Sequence, residues 1–353
     1  MKFGASIYVG LDQYSLKSNL AYLEFLKAHG IELLFTSAHI PETNKNGRAE
    51  LEVIINRANE LGLKVILDVS KPMFKDFKVP HGIYSLRLDW GFSLDDIIEL
   101  VKGDYLIDLN ASTVTEEHLL YLQAKGVDFS KLRASHNFYP KPYTALSYQP
   151  VITTNKILKA FALPILIFIP SMAGRRPPLG EGLPTIEAHR HLDIHAILSE
   201  MQFLGIDEVC FGDAYCNEIE LEATQNYQNK QIIVPIKVFK GISELELDIL
   251  MREQVQRADV NEYFVRSSIR EPKAILPFNT IKRSKKMITI DNSNFLRYQG
   301  EVGIMKLDLD ADARVNVVGK AEISDFLLQA IKPRQKFTFK IVGEINEQSN
   351  NIG

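Results

Sequence analysis

Eight short apolar segments of β type recur along the first two-thirds of the chain, and most are followed by a stretch with helical periodicity. The segments are FGASIYVG, IELLFTSAHI, KVILDVS, YSLRLDW, DYLIDLNAS, KLRASHNFY, ILIFIPS and DEVCFGDAY. Between them lie SLKSNLAYLEFLKAHG, RAELEVIINRANELG, SLDDIIELVKG, TEEHLLYLQAKG, TTNKILKAFA and TIEAHRHLDIHAILSEMQFLG. Several of these helical stretches open at Ser or Thr with an acid two or three residues on and close at Gly, as capped helices do. Parallel strands need a crossover connection, so this alternation predicts βα units. Eight of them in roughly 225 residues predict a (β/α)8 TIM-type barrel. A doubly wound open sheet is the alternative, but GLDQYS follows the first strand where a dinucleotide-binding turn would be glycine-rich. The link KPMFKDFKVPHGI shows little helical pattern, so the third unit is expected to be irregular.

After about Asn229 the pattern changes. IIVPIKVFK, EYFVRSS, KKMITIDN, EVGIMKLDLD, ARVNVVGKA and KFTFKIVGEI are strand-like, with helices clearest at SELELDILMREQ and SDFLLQAI. A run of strands with few helices predicts a second, smaller domain over 230–353, β-rich and barrel-like or sandwich-like, after a barrel over 1–229. The polar tail NEQSNNIG is expected to fray.

Composition narrows the function classes. The 353 residues are 46% hydrophobic and 24% charged, which is globular material, and a net charge of -3 offers no general attraction for nucleic acid or an anionic membrane. No apolar run approaches the ~20 residues of a spanning helix; FALPILIFIP is broken by Pro164 and Pro170. MKFGASIYVG enters a strand pattern directly, without the apolar core of a signal peptide. With only Cys210 and Cys216, and no CxxC spacing, a reducing cytoplasm is the expected setting. Neither HExxH nor a clustered His/Cys set occurs, so no metal or other cofactor is expected.

Barrel enzymes carry their chemistry at the C-terminal ends of the strands. Those ends hold Asp68, Asp89, Asp108 with Asn110, His136 with Asn137, Ser171 and Asp213. Any one of them could cap a helix or make a turn; together they describe a polar mouth. Strand periodicity puts Arg87 on the face of Asp89, where it can hold the carboxylate, and pairs Asp108 with Asn110. SHNFYPKPYTALS, from Ser135 to Ser147, reads as a strand end plus a binding loop, with Pro140 and Pro142 stiffening its exit and Phe138 and Tyr139 offering apolar faces.

KFGASIYVG, LRLDWGF, LNAS, HNFYPKPYTALS, EGLPTIEAHR and FGDAY, in this order, resemble the bacterial 6-phospho-N-acetylmuramidase family, and FVRSSIR and ITIDNSNFLRYQGEVGI extend the resemblance into the second domain. The resemblance implies a TIM-type barrel followed by a cyclophilin-like β domain. It also implies exo-hydrolysis of N-acetylmuramic acid 6-phosphate β-1,4-linked to N-acetylglucosamine, during recovery of cell-wall sugars in the cytoplasm. Ala145 departs from an expected Gly, and MREQVQRADVN is the loosest match.

Glycoside hydrolysis calls for a carboxyl acid and, in most families, a second carboxylate. Asp89, flanked by Trp90 and Phe92, is the leading expectation, with Asp108 as its partner and Glu181 in LGEGLPT and Asp213 in reserve. Asp68, Asn110, His136, Asn137, Tyr139 and Glu187 complete the expected substrate contacts. A 6-phosphate and a lactyl carboxylate call for cations, of which Arg is best shaped for two oxygens. Arg175, Arg176, His189, Arg190, Arg266 and Arg270 are the candidates, and a solvated surface is the simpler reading of Arg175 and Arg176. The expected partner is thus a small phosphorylated disaccharide, with no nucleic acid or membrane. Two other classes stand beside this reading: a barrel lyase or aldolase on a sugar phosphate, which would want a Schiff-base Lys at a strand end, and a non-catalytic sugar-binding protein.

Overall fold

Eight parallel strands, β1 (Lys2–Ser6), β2 (Leu33–Ser37), β3 (Lys64–Val69), β4 (Ile83–Leu88), β5 (Leu106–Asn110), β6 (Leu132–Ser135), β7 (Ile165–Ile169) and β8 (Glu208–Phe211), pair in chain order and close through β8 and β1. The computed structural model describes residues 1–38, 47–74, 77–228 and 230–346. These strands form the TIM-type barrel expected from the alternation of patterns. β2, β7 and β8 are buried along their whole length, which is why β7 reads as an unbroken apolar run rather than an alternating one. Phe35 of β2 and Phe168 of β7 meet across the interior with centroids 4.9 Å apart, and Leu33, Ile66, Leu166 and Cys210 fill the space around them.

The helices outside begin where the caps are. Ser93, Thr115 and Asn217 make reciprocal capping boxes for Leu94–Leu100, Glu116–Ala124 and Glu218–Gln225, so orphan N–H groups at each start are satisfied. The sixth helix, Tyr148–Ala160, starts earlier than TTNKILKAFA suggests, because Pro150 sits in its first turn, where its missing N–H costs nothing. Among the described residues the irregular third unit holds only a four-residue helix, Lys71–Phe74. The long stretch before β8 is not one helix but a 3-10 turn at Glu187–His189 followed by Ile194–Leu204.

The chain divides into two compact units, one comprising Met1–His191 and Leu204–Asn226, the other Leu192–Phe203 and Tyr227–Gly353. Most of the helix before β8, Ile194–Leu204, thus groups with the second unit, where Ala196 is fully buried in the apolar core and Leu192 and Phe203 pack against it. The boundary residue Asn229 and the tail beyond Asn346 lie outside the described residues.

The second unit is built on β9 (Ile233–Phe239), β10 (Gln254–Val255), β11 (Phe264–Arg266), β12 (Met287–Asp291), β13 (Val302–Met305), β14 (Val315–Ala321) and β15 (Lys336–Ile345). They form one sheet in the order β10-β15-β9-β14-β12-β13-β11, antiparallel except for the β15–β9 pair. Short helices at Glu244–Met251 and Asp325–Ala330 start at the Ser243 and Ser324 caps. Among the described residues no helix is long and apolar enough to cross a membrane.

Candidate active site

A column of charge runs up the inside of the barrel. Glu208 at the start of β8 is bonded to Arg133 of β6, two strands away, so both side chains must lie inside the cylinder. Arg133 Nε then reaches Asp108 Oδ2 on β5 at 3.0 Å, and Ser135 Oγ donates to the same oxygen at 2.5 Å. Arg87 of β4 stands in register with Asp108 and opposite Asp68 of β3. Its Nη1 bonds Asp68 Oδ1 at 2.6 Å and Asp89 Oδ1 at 3.3 Å, and its Nη2 bonds Asn137 Oδ1. The signs alternate from Glu208 to Arg87, as charges removed from water must if each is to be compensated. At the mouth the alternation ends, with two carboxylates sharing one guanidinium.

Those two carboxylates differ. Asp68 is buried and also accepts from Ser37 Oγ at 3.0 Å; burial raises its pKa, against the pull of Arg87. The Asp89 side chain keeps 33% of its surface open. Asn110 Nδ2 braces the Asp89 carbonyl at 3.0 Å and lies 3.5 Å from its Oδ1, while Asn110 Oδ1 accepts from Ser112 N at 3.0 Å. A cavity of about 360 Å³ opens here, lined by Asp89, Trp90, Phe92, Asn110, Thr113 and His118. Trp90, the chain's one tryptophan, is 54% exposed at its edge. Asp108 stands apart from this opening: it is fully buried, its pKa raised by that burial, and its ion-pair partner is Arg133.

The loops above the barrel are tied by two buried charges. Asp213, after β8, accepts from the backbone N–H of Ser171 (2.9 Å), Leu183 (3.1 Å) and Arg176 (2.9 Å), so its carboxylate fastens the loop after β7. Burial raises its pKa against those donors. Arg190 is 2% exposed and spends its guanidinium on the chain: Nη1 on the carbonyls of Glu181 (3.2 Å) and Gly182 (2.9 Å), Nη2 on those of Tyr139 (3.1 Å) and Lys141 (3.3 Å). Its Nε and Nη2 also hold both oxygens of Glu187, whose pKa Arg190 draws down to about 2. Glu187 Oε2 in turn receives the N–H of Ala145, a bond that the expected Gly would make equally well.

His136, just past the end of β6, is buried within reach of the Arg87 charge. Asn155 Nδ2 donates to the Leu204 carbonyl at 2.8 Å, so its Oδ1 must accept from His136 Nε2 at 2.7 Å. Nε2 thus carries the proton, and burial, with Arg87 adding to it, lowers the ring's pKa. His189 is fully buried against the Tyr148 ring, at 5.8 Å between centroids. Tyr139 hydroxyl faces Ser112 Oγ at 3.4 Å. Glu181, half-buried, has no side-chain partner among the described residues. Arg176 lies over the Tyr8 ring at 4.5 Å, and Arg175 uses Nη2 on the Arg190 carbonyl at 3.1 Å and on His191 Nδ1 at 3.2 Å. Arg266 and Arg270 belong to the second unit, where both bond Glu301.

Arg133, Glu208 and Ser37 are members of the column that the strand-end reading passes over. For Arg133 and Glu208 the signal is present, since a charged residue inside KLRAS or DEVCF breaks an otherwise apolar strand. Pairing them, however, requires the closed barrel.

The model of the 6-phospho-N-acetylmuramidase N-terminal domain matches residues 3–226, and that of the 6-phospho-N-acetylmuramidase C-terminal domain matches 232–340. Among solved structures, an uncharacterized B. cereus protein is 28% identical, over 96% of this chain and 99% of its own, with a TM-score of 0.77. A conserved Enterococcus faecalis protein of unknown function is 27% identical, over 97% of each chain, with a TM-score of 0.74. No curated protein matches the chain. With both domains matched in order along nearly its whole length, the chain belongs to the 6-phospho-N-acetylmuramidase family and is a glycosidase.

Proposed function

We propose that the barrel hydrolyses the β-1,4 bond between N-acetylmuramic acid 6-phosphate and N-acetylglucosamine, acting from the chain end, in cytoplasmic recovery of cell-wall sugars. The observation that carries this reading is the single Arg87 guanidinium shared by Asp68 and Asp89 at the barrel mouth. It leaves surplus negative charge beside an open cavity, and the oxocarbenium-like transition state of glycoside hydrolysis develops positive charge at the sugar ring. Asp89 is the carboxylate that meets the ring, because it is the more open of the two. Glu181 is the general acid that protonates the leaving oxygen, since its carboxyl is tied to no cation among the described residues. Asp108 holds Arg133 in the column beneath them. Arg190 positions the loops, and Arg175, with Nε and Nη1 uncommitted among the described residues, takes an anionic group of the sugar.

The test is incubation with the phosphorylated disaccharide and its unphosphorylated form. Cleavage of the first alone supports the reading, and equal kcat/KM on both would overturn it. An unsaturated or retro-aldol product would instead mark a lyase.

A further inference from the structure

The second unit has a cavity of its own, on the face of the sheet turned away from its apolar core. In β11, β12 and β13 every second residue points into that core: Val265, Ile288, Ile290, Val302 and Ile304 are at most 1% exposed. The residues between them, Phe264, Arg266, Thr289, Asp291, Gly303 and Met305, therefore share the opposite face, and a cavity of about 360 Å³ sits over them. That volume is at the lower end of small-molecule sites.

Gly303 is the floor. It stands in register with Arg266 on one side and Thr289 on the other, and a Cβ there would lie 2.7 Å from Thr289 Oγ1 and 3.3 Å from the Phe264 ring. The missing side chain is what makes the face concave. The roof comes from the turn Ser293–Tyr298, through Phe295 and Tyr298.

Charge on this face is unevenly used. Glu301, 6% exposed, takes Arg266 Nε at 2.7 Å and Nη2 at 3.1 Å, and also Arg270 Nη2 at 2.6 Å. Arg283 lines the same cavity and gives only its Nε, to the Asp310 carbonyl at 2.9 Å. Its two terminal nitrogens have no acceptor among the described residues. Asp291, directly paired with Glu301 through the Asp291 N to Glu301 O bond of 3.0 Å, has no side-chain partner there either. The charged groups that act on Asp291 are Glu301, Arg270, Arg266 and Arg283. Burial, with the Glu301 charge next, raises its pKa to about 7. At neutral pH it can thus both accept and donate a hydrogen bond. Arg266 also reaches Asp259 Oδ2 at 3.6 Å, so the cation left to take an anion on this face is Arg283.

We propose that this cavity is a second ligand site, for a single sugar ring that carries an anionic group. Arg283 takes the anion, Asp291 and Thr289 take ring hydroxyls, and Phe264 and Phe295 meet the ring's C–H faces. The choice of a sugar as the ring rests on the glycosidase reading of the barrel; the unspent cation and the aromatic walls do not.

The experiment is calorimetric titration of the full chain with N-acetylglucosamine 6-phosphate, N-acetylglucosamine and inorganic phosphate, repeated on Arg283→Ala and Asp291→Asn. The sugar phosphate should bind, and Arg283→Ala should weaken it by about tenfold or more, the size of one lost charge-assisted bond. Asp291→Asn should weaken it less, and both variants should keep the hydrolytic kcat. Thr289→Val, which keeps the shape of its side chain, substitutes for either variant that fails to fold. Equal affinity for the unphosphorylated sugar, equal affinity for phosphate alone, or binding unchanged in all three variants would overturn the proposal. Because hydrolysis is measured separately, binding without cleavage would count against the barrel reading and leave this site standing, and cleavage without variant-sensitive binding would do the reverse.

Discussion

At the barrel mouth one arginine serves two acids; in the second unit one acid serves two arginines. Both motifs are only partly open to solvent, and each leaves a charge short of a partner. The barrel's surplus is negative and suits a reaction that makes a cation, whereas the other surplus is positive and suits an anion that stays as it is. The difference teaches that the sign of the unspent charge distinguishes a site for chemistry from one for retention more clearly than the residue types do, since both are built from carboxylates and arginines.

The strongest way to break the comparison is at the barrel. Asp89→Asn and Glu181→Gln should each fold normally and lose ~10³-fold or more in kcat, as loss of a reacting carboxyl does. A loss below about tenfold in steady-state assays would remove that residue from its role. Asp108→Asn should act differently, because it strips Arg133 of its partner in the barrel interior. Denaturant unfolding should show a loss of about 3 kcal/mol, typical of a broken buried pair, with kcat within about tenfold of the parent. A stable Asp108→Asn protein that has lost its turnover would move Asp108 back among the catalytic groups.

Two smaller effects depend on pH. The pKa of Asp291 is raised to about 7 in the fold, so its contribution to stability is complete below the unfolded value near 4 and lost as pH rises through 7. Asp291→Asn should therefore raise Tm at pH 8 and leave it nearly unchanged at pH 4, with about 1–2 kcal/mol of gain at pH 8 once solvent screening is allowed for. A Tm gain of equal size at both pH values would show that the carboxyl is not the cause. Glu187 has the opposite sign. Its pKa is drawn down to about 2 by Arg190, so its contribution is present above the unfolded value and lost as pH falls from about 4 toward 2. Glu187→Gln should flatten that part of the acid-denaturation curve measured by circular dichroism, and an unchanged curve would mean that Arg190 holds the loops without it.

Much of the barrel is legible before any coordinates, because parallel strands announce themselves as apolar runs and their ends must lie at one rim. Asp68, Asp89 and Asn110 reach that rim for this reason, and the two-residue spacing of Arg87 and Asp89 does put them in contact. Asp108 shares that pattern yet sits one pair lower, since β5 runs two residues past it. Arg190 shows the harder limit. A guanidinium has the same five donors whether it meets a phosphate or a set of carbonyls, and nothing in EAHR says that four carbonyls will converge on it. The second-unit cavity is hidden for a related reason. A strand with alternating apolar and polar residues ordinarily has a wet face, and only the register that sets Gly303 between Arg266 and Thr289 turns that face into a hollow.

Arg190 has one more consequence. By gripping Tyr139 and Lys141 on one loop and Glu181 and Gly182 on another, it stitches two separate excursions of the chain into a single frame before any sugar arrives. The conformational freedom those loops give up is then surrendered once, during folding, instead of at every encounter with substrate. A mouth prepared in this way can release its products without having to rebuild itself for the next turnover.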